Sequence, residues 1–286
     1  MTRMVALQTS PSPDCGLKSP EAFRRGPAAI SLSGLAHENL TASAVRRALR
    51  AQARPDQVAG VMRFFKCGPG EYGEGDQFLS VTVPAQRRIA RTFRNLPLDE
   101  TDTLLTSPIH EERLTALFVL VGQFERTDDE RVRGRIFRLF MKRLRFINNW
   151  DLVDSSAAQI VGGWLVDKPR DLLDRLARSP QLWSRRVAMI ATFHFIYRGD
   201  HRDAIRIATL LVTDDHDLIH KAVGWMLRET GKRASSDALT TFLERHAATM
   251  PRTMLRYAIE RLPARERQRW MSMAGQRQER NKIRPS

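Results

Sequence analysis

The chain has 286 residues, enough to bury a sizeable core, and its 42% hydrophobic content marks most of it as globular. Its formal net charge of +15 and pI near 10.9 exceed what solubility requires and point to a polyanionic partner. Two cysteines, Cys15 and Cys67, exclude a disulfide framework, and the absence of a long apolar run or an apolar leader gives the expectation of a soluble, cytoplasmic protein.

In chain order, residues 1–38 are rich in Ser, Pro, Gly and Ala without sustained periodicity, and read as a disordered N-terminal extension. Beyond them the pattern is helical. Apolar residues recur at three- and four-residue spacing in Val119–Phe140, Ile160–Leu176, Leu182–Ile196 and Leu218–Leu227. Pro108, Pro180 and Pro251 each stand at or near a helix start, and Asp214 and Asp215 supply acids at another. Gly231 suits the end of that last helix. Only Phe78–Val83 shows a weak strand-like alternation. Residues 274–286 are polar and read as a frayed, basic C-terminal tail. Ten or more helices joined by short links predict an all-α protein, a curved α-solenoid of antiparallel helix pairs.

Gly68, Gly70 and Gly73 formally match a dinucleotide-binding GxGxxG, but a helical Phe64-Phe65 precedes them and acids follow. A glycine-rich turn between helices is the better reading. His216 and His220 share a helix face, yet two imidazoles without a third ligand make a poor metal site. The segment Asn148-Asn149-Trp150-Asp151-Leu152-Val153-Asp154 is more informative. An Asn N-cap starts a helix with Trp150 in its first turn, and Asp151 faces the positive helix end. Asp154 lies one turn beyond Trp150 among small apolar neighbours, so it needs a buried partner or a cationic ligand. Trp183 and Trp225, taken singly, fit core anchors as well as site residues.

Five blocks occur in order: FFKCGPGEYGEGDQFL, NNWDLVD, WSRRVAMIATFHFI, DLIHKAVGWMLRETGKR and MPRTMLRYAIE. Together they make the chain resemble the DNA alkylation repair family of HEAT-like-repeat DNA glycosylases, the AlkD type. The resemblance runs from about Met62 to Leu262 and makes residues 39–273 a HEAT-like-repeat domain. It implies release of cationic alkylated purines from duplex DNA, with no cofactor or metal, by a monomer that is nucleoid-associated if bacterial. Trp150 and Asp154 match the family's catalytic-helix pair, and Trp225 its second cleft tryptophan. Arg186 matches an active-site or DNA-contacting arginine, read as a phosphate clamp. Arg185, Lys221 and Tyr72 complete the expected DNA-contacting set, Tyr72 standing for a tyrosine of the family's first helices.

The residue types suit that reaction. A purine alkylated at N7 or N3 is already cationic and leaves without a general acid. A carboxylate beside the sugar stabilises the oxocarbenium-like state and orients water, while tryptophan faces attract the cation. A non-catalytic HEAT-like protein for bent or branched DNA, and an interaction solenoid for RNA or an acidic partner, remain alternatives.

Overall fold

The computed structural model describes residues 40–282, with side chains to residue 273. The extension expected over 1–38 and the last residues of the tail lie outside the described residues. The described part belongs to one unit, beginning at Leu40.

It is all-helical, an α-solenoid-like array. The helices are α1 (Ala42–Arg50), α2 (Val58–Phe64), α3 (Val83–Thr92), α4 (Leu98–Leu105) and α5 (His110–Arg126). There follow α6 (Glu130–Lys142), α7 (Trp150–Asp154), α8 (Asp171–Ala177), α9 (Leu182–Ala191) and α10 (Phe193–Tyr197). The last five are α11 (Arg202–Leu211), α12 (Asp217–Arg233), α13 (Ser236–His246), α14 (Arg252–Ala258) and α15 (Ala264–Lys282). Side-chain caps supply several starts: Thr41 accepts from Ala44 N, Asp129 from Arg131 N, and Ser235 from Ala238 N. Neighbours in sequence pack on one another, α4 on α5, α8 on α9, α11 and α13 on α12, as short links between helices require.

Three long periodic runs are broken where periodicity alone gives no signal. Val119–Phe140 spans two helices, because Thr127 is extended and Asp129 caps α6. Ile160–Leu176 contains a π-helical turn at Ala158–Gly162 and then α8, and Leu182–Ile196 divides at Thr192. The chain forms no strand at Phe78–Val83. Its ladder donors go to a side chain instead, Leu79 N and Val81 N donating to the Glu111 carboxylate at 3.0 and 3.3 Å. One isolated parallel bridge, Gln77 with Ile109, is what remains of pairing there. The C-terminal segment expected to fray from residue 274 continues α15 to Lys282.

The core runs through α5, α9 and α12. Leu114, Leu117, Leu120 and Phe124 fill the buried face of α5, and Val187, Ala188, Met189, Ile190 and Ala191 make α9 almost wholly internal. Each large side chain so buried contributes about 1.5–3 kcal/mol. Gly231 does not end α12. It lies in the last turn, where an added Cβ would strike Leu239 of α13. Gly224 permits a similar approach by α14, since a Cβ there would collide with Met254 O and Tyr257 Cβ. Close packing, not chain termination, explains both glycines.

Candidate active site

Asn149 caps α7, its Oδ1 accepting from Trp150 N at 2.8 Å, so the short helix begins at Trp150 as its sequence suggests. Asp154 closes the same turn and is buried at 2% exposure. Its partner is Arg186 of α9. Arg186 Nε donates to Oδ1 at 2.8 Å and Nη2 to Oδ2 at 2.7 Å, a bidentate fork. The third nitrogen, Nη1, donates to the carbonyl of Leu218 in the first turn of α12. One ion pair thus ties α7, α9 and α12 together. Burial pushes the Asp154 carboxyl above its ordinary value, and the Arg186 charge opposes that shift without cancelling it.

Arg186 therefore differs from the phosphate clamp expected of it. It is 5% exposed and its nitrogens face the protein interior. Its physical role is counter-ion and orienter of Asp154.

Tyr72 reaches the same place from the glycine-rich segment. Its ring meets Trp183 of α9 edge-on at 5.9 Å. Burial raises the phenol from its ordinary value, while the Trp150 side chain, hydrogen-bonded to it, and Arg186 act in the other direction. The segment is shaped by its own backbone: Gly73 N donates to Lys66 O at 2.9 Å, and a Cβ at Gly73 would strike Phe65 O. Lys66 (φ 55°) and Ser80 (φ 59°) both hold the left-handed region, which side chains rarely adopt unless surrounding contacts impose it. Trp150 is half-buried, with Phe65 stacked on it at 5.5 Å and Phe64 edge-on at 5.8 Å.

A family model for the DNA alkylation repair enzymes matches residues 45–262. The chain belongs to the DNA alkylation repair enzyme family. A solved structure described as a predicted DNA alkylation repair enzyme from Enterococcus faecalis has the same fold, with a TM-score of 0.58 at 16% identity. That likeness covers 74% of this chain and 98% of the other. Curated proteins give no match.

Within this family fold, Trp150, Asp154, Arg186 and Tyr72 come together, whereas the other expected residues are more dispersed. Trp225 is half-buried on α12, seven residues from Leu218 and so on the same face, roughly 10 Å along the axis. Its ring neighbour is Phe193 of α10, at 6.2 Å. Arg185 holds Asp214 in the loop before α12, with Nε to Oδ2 at 2.6 Å, and also donates to the Ser179 and Pro180 carbonyls. Lys221 pairs with Asp217 one turn earlier at 2.7 Å and stays 40% exposed.

His216 and His220, flagged by sequence, have structural surroundings, as does His194. His216 caps α12 through Nδ1, accepting from Leu218 N at 3.1 Å, and His220 bonds the Asp214 carbonyl. His194 is held down to about 4, chiefly by burial and then by Arg198, so it is neutral at physiological pH. Among the described residues no group of three or more His, Cys, Asp or Glu is disposed to hold a metal ion, and no helix is long and apolar enough to cross a membrane.

Sequence reasoning missed His110, Asp76 and Arg113, which form a second buried charge cluster behind Trp150. The available signal was His110-Glu-Glu-Arg113 opening a long apolar helix. All four of those residues are buried.

Proposed function

We propose that this protein hydrolyses the N-glycosidic bond of cationic alkylated purines, 7-alkylguanine and 3-alkyladenine, in duplex DNA. The observation that carries the reading is the Asp154 carboxylate, buried one turn from Trp150 and oriented by both arms of Arg186. The bond between C1′ and the base nitrogen breaks with its electron pair leaving on the purine, which neutralises the cationic base. Asp154 stabilises the positive charge developing on the sugar. Each carboxylate oxygen accepts one bond from Arg186 and retains a lone pair, so it can also align the attacking water and take its proton. Trp150 and Trp225 offer ring faces to the cation, each about 0.5–2 kcal/mol by the usual strength of such contacts. The phosphate backbone is met by surface cations, of which Lys221 is one exposed candidate.

The same ion pair favours a second reading. A carboxylate engaged on both oxygens and 2% exposed suits a structural clamp in a DNA-binding member without excision activity. The deciding experiment is incubation with duplex containing 7-methylguanine, with EDTA present, and chromatographic measurement of free base. Release supports the glycosylase. Binding without release supports the clamp.

A further inference from the structure

His110, the first residue of α5, bonds carboxylates with both ring nitrogens. Nδ1 lies 3.1 Å from Asp76 Oδ2, and Nε2 lies 2.8 Å from Asp151 Oδ2. Ionised carboxylates only accept hydrogen bonds, so the geometry calls for an N–H at both positions, an imidazolium. Asp76 ends the glycine-rich segment that carries Tyr72, and Asp151 follows Trp150 in α7. The cluster is 2% exposed at His110 and is balanced in charge, because Arg113 Nη2 donates to Asp76 Oδ1 at 2.7 Å. Asn148 Nδ2 adds a bond to the same oxygen at 3.2 Å. The other charged groups on this turn are engaged elsewhere, Glu111 by the backbone N–H groups of Leu79 and Val81 and Glu112 by Arg46. Phe65 and Phe78 lie 4.9 and 4.8 Å from the imidazole, and Phe65 continues the stack to Trp150.

We propose that His110 is a positioning residue: as an imidazolium it ties the Tyr72 segment to the start of the Trp150 helix, and loss of its proton uncouples them. A neutral ring has one N–H, so the other nitrogen would turn a lone pair toward a buried carboxylate. Burial works against the charge and Arg113 adds to that, but Asp151 and then Asp76 more than offset both, pushing His110 up to about 9. The protonated bridge is therefore present at neutrality and lost as pH rises through that value.

The inference rests on the glycosylase reading only for its activity arm. Imidazole-nitrogen spectra of the full chain, assigned with His110→Gln, should show both ring nitrogens of His110 protonated at neutral pH. Hydrogen exchange of backbone amides in 66–81, corrected for intrinsic rate, should rise about tenfold as His110 deprotonates, and should already be raised in His110→Gln at neutral pH. Single-turnover release of 7-methylguanine should fall in the parent on the alkaline side, and His110→Gln should be about tenfold slower with no alkaline limb and unchanged duplex affinity. A His110 that titrates near the ordinary histidine value, or a segment equally protected in both forms, overturns the proposal. If the parent releases no base at any pH, the glycosylase reading fails, and the spectra and exchange still decide His110. Should His110→Gln not fold, the parent's pH series decides alone.

Discussion

Asp154 is surrounded by apolar neighbours, and its charge is tolerable because Arg186 donates two bonds to it. The sequence exposes half of this: a carboxylate among Val153, Ala157 and Ala158 demands a partner, but nothing in a linear pattern says which of many arginines supplies it. Removing either member should have separable effects. Asp154→Asn keeps the shape and deletes the charge, so excision should vanish while duplex binding is unchanged or slightly tighter. A variant as active as the parent in base release would make Asp154 structural. Arg186→Met leaves a buried anion without its partner and should cost about 3–5 kcal/mol in denaturant unfolding. On the proposed mechanism, excision needs the ionised carboxylate, whose value burial has raised. Its rate should therefore fall on the acid side at a higher pH than an ordinary aspartate would give.

At the scale of elements, the helices themselves were legible from apolar spacing, whereas their breaks were not. The break at Thr127 is local, Thr127 Oγ1 accepting from Asp129 N and Asp129 capping α6, a cap that apolar spacing alone does not register, whereas Thr192 carries no comparable signature. The extended segment before α3 shows the reverse case, where β-like alternation was overruled because Glu111 takes the ladder donors. Glycine was also misread at Gly231, where α13 approaches. Gly224→Ala, next to Trp225, should accordingly cost about 1–3 kcal/mol in unfolding through overpacking against α14. Two buried histidines give these elements opposite pH responses. His110 is raised from 6.5 to about 9, so its contribution is complete below 6.5 and is lost as pH rises through 9. His194 is lowered from 6.5 to about 4, so its contribution is complete above 6.5 and is lost as pH falls through 4. Thermal melts across this range, compared with His110→Gln and His194→Phe, should show the parent losing its advantage over the first variant at alkaline pH and over the second at acid pH.

At the scale of the whole molecule, the proposed substrate rests on charge and site chemistry together. On the proposed reading, the net charge of +15 makes phosphate contact the main source of DNA affinity, so log affinity should fall linearly and steeply with log salt, for undamaged duplex as well as damaged. Salt-insensitive binding would remove that interpretation. On the proposed mechanism, lesion choice follows from the proton donors on hand. Tyr72 is a hydroxyl acid beside Trp150 and Arg186, and burial raises its phenol, making it a poorer proton donor. His194 is neutral, His216 and His220 are engaged at the start of α12, and His110 faces two carboxylates. The proposed mechanism assigns none of these as proton donor to a departing neutral base. The leaving group must then bring its own positive charge, as 7-alkylguanine and 3-alkyladenine do and uracil, hypoxanthine and 1,N6-ethenoadenine do not. The tryptophan faces sharpen the difference, since a cation gains from them and a neutral base gains much less. Matched duplexes carrying one cationic and one neutral lesion should show release of the first alone at neutral pH. Comparable release of the neutral base would require a general acid in the site and would displace the mechanism built on Asp154.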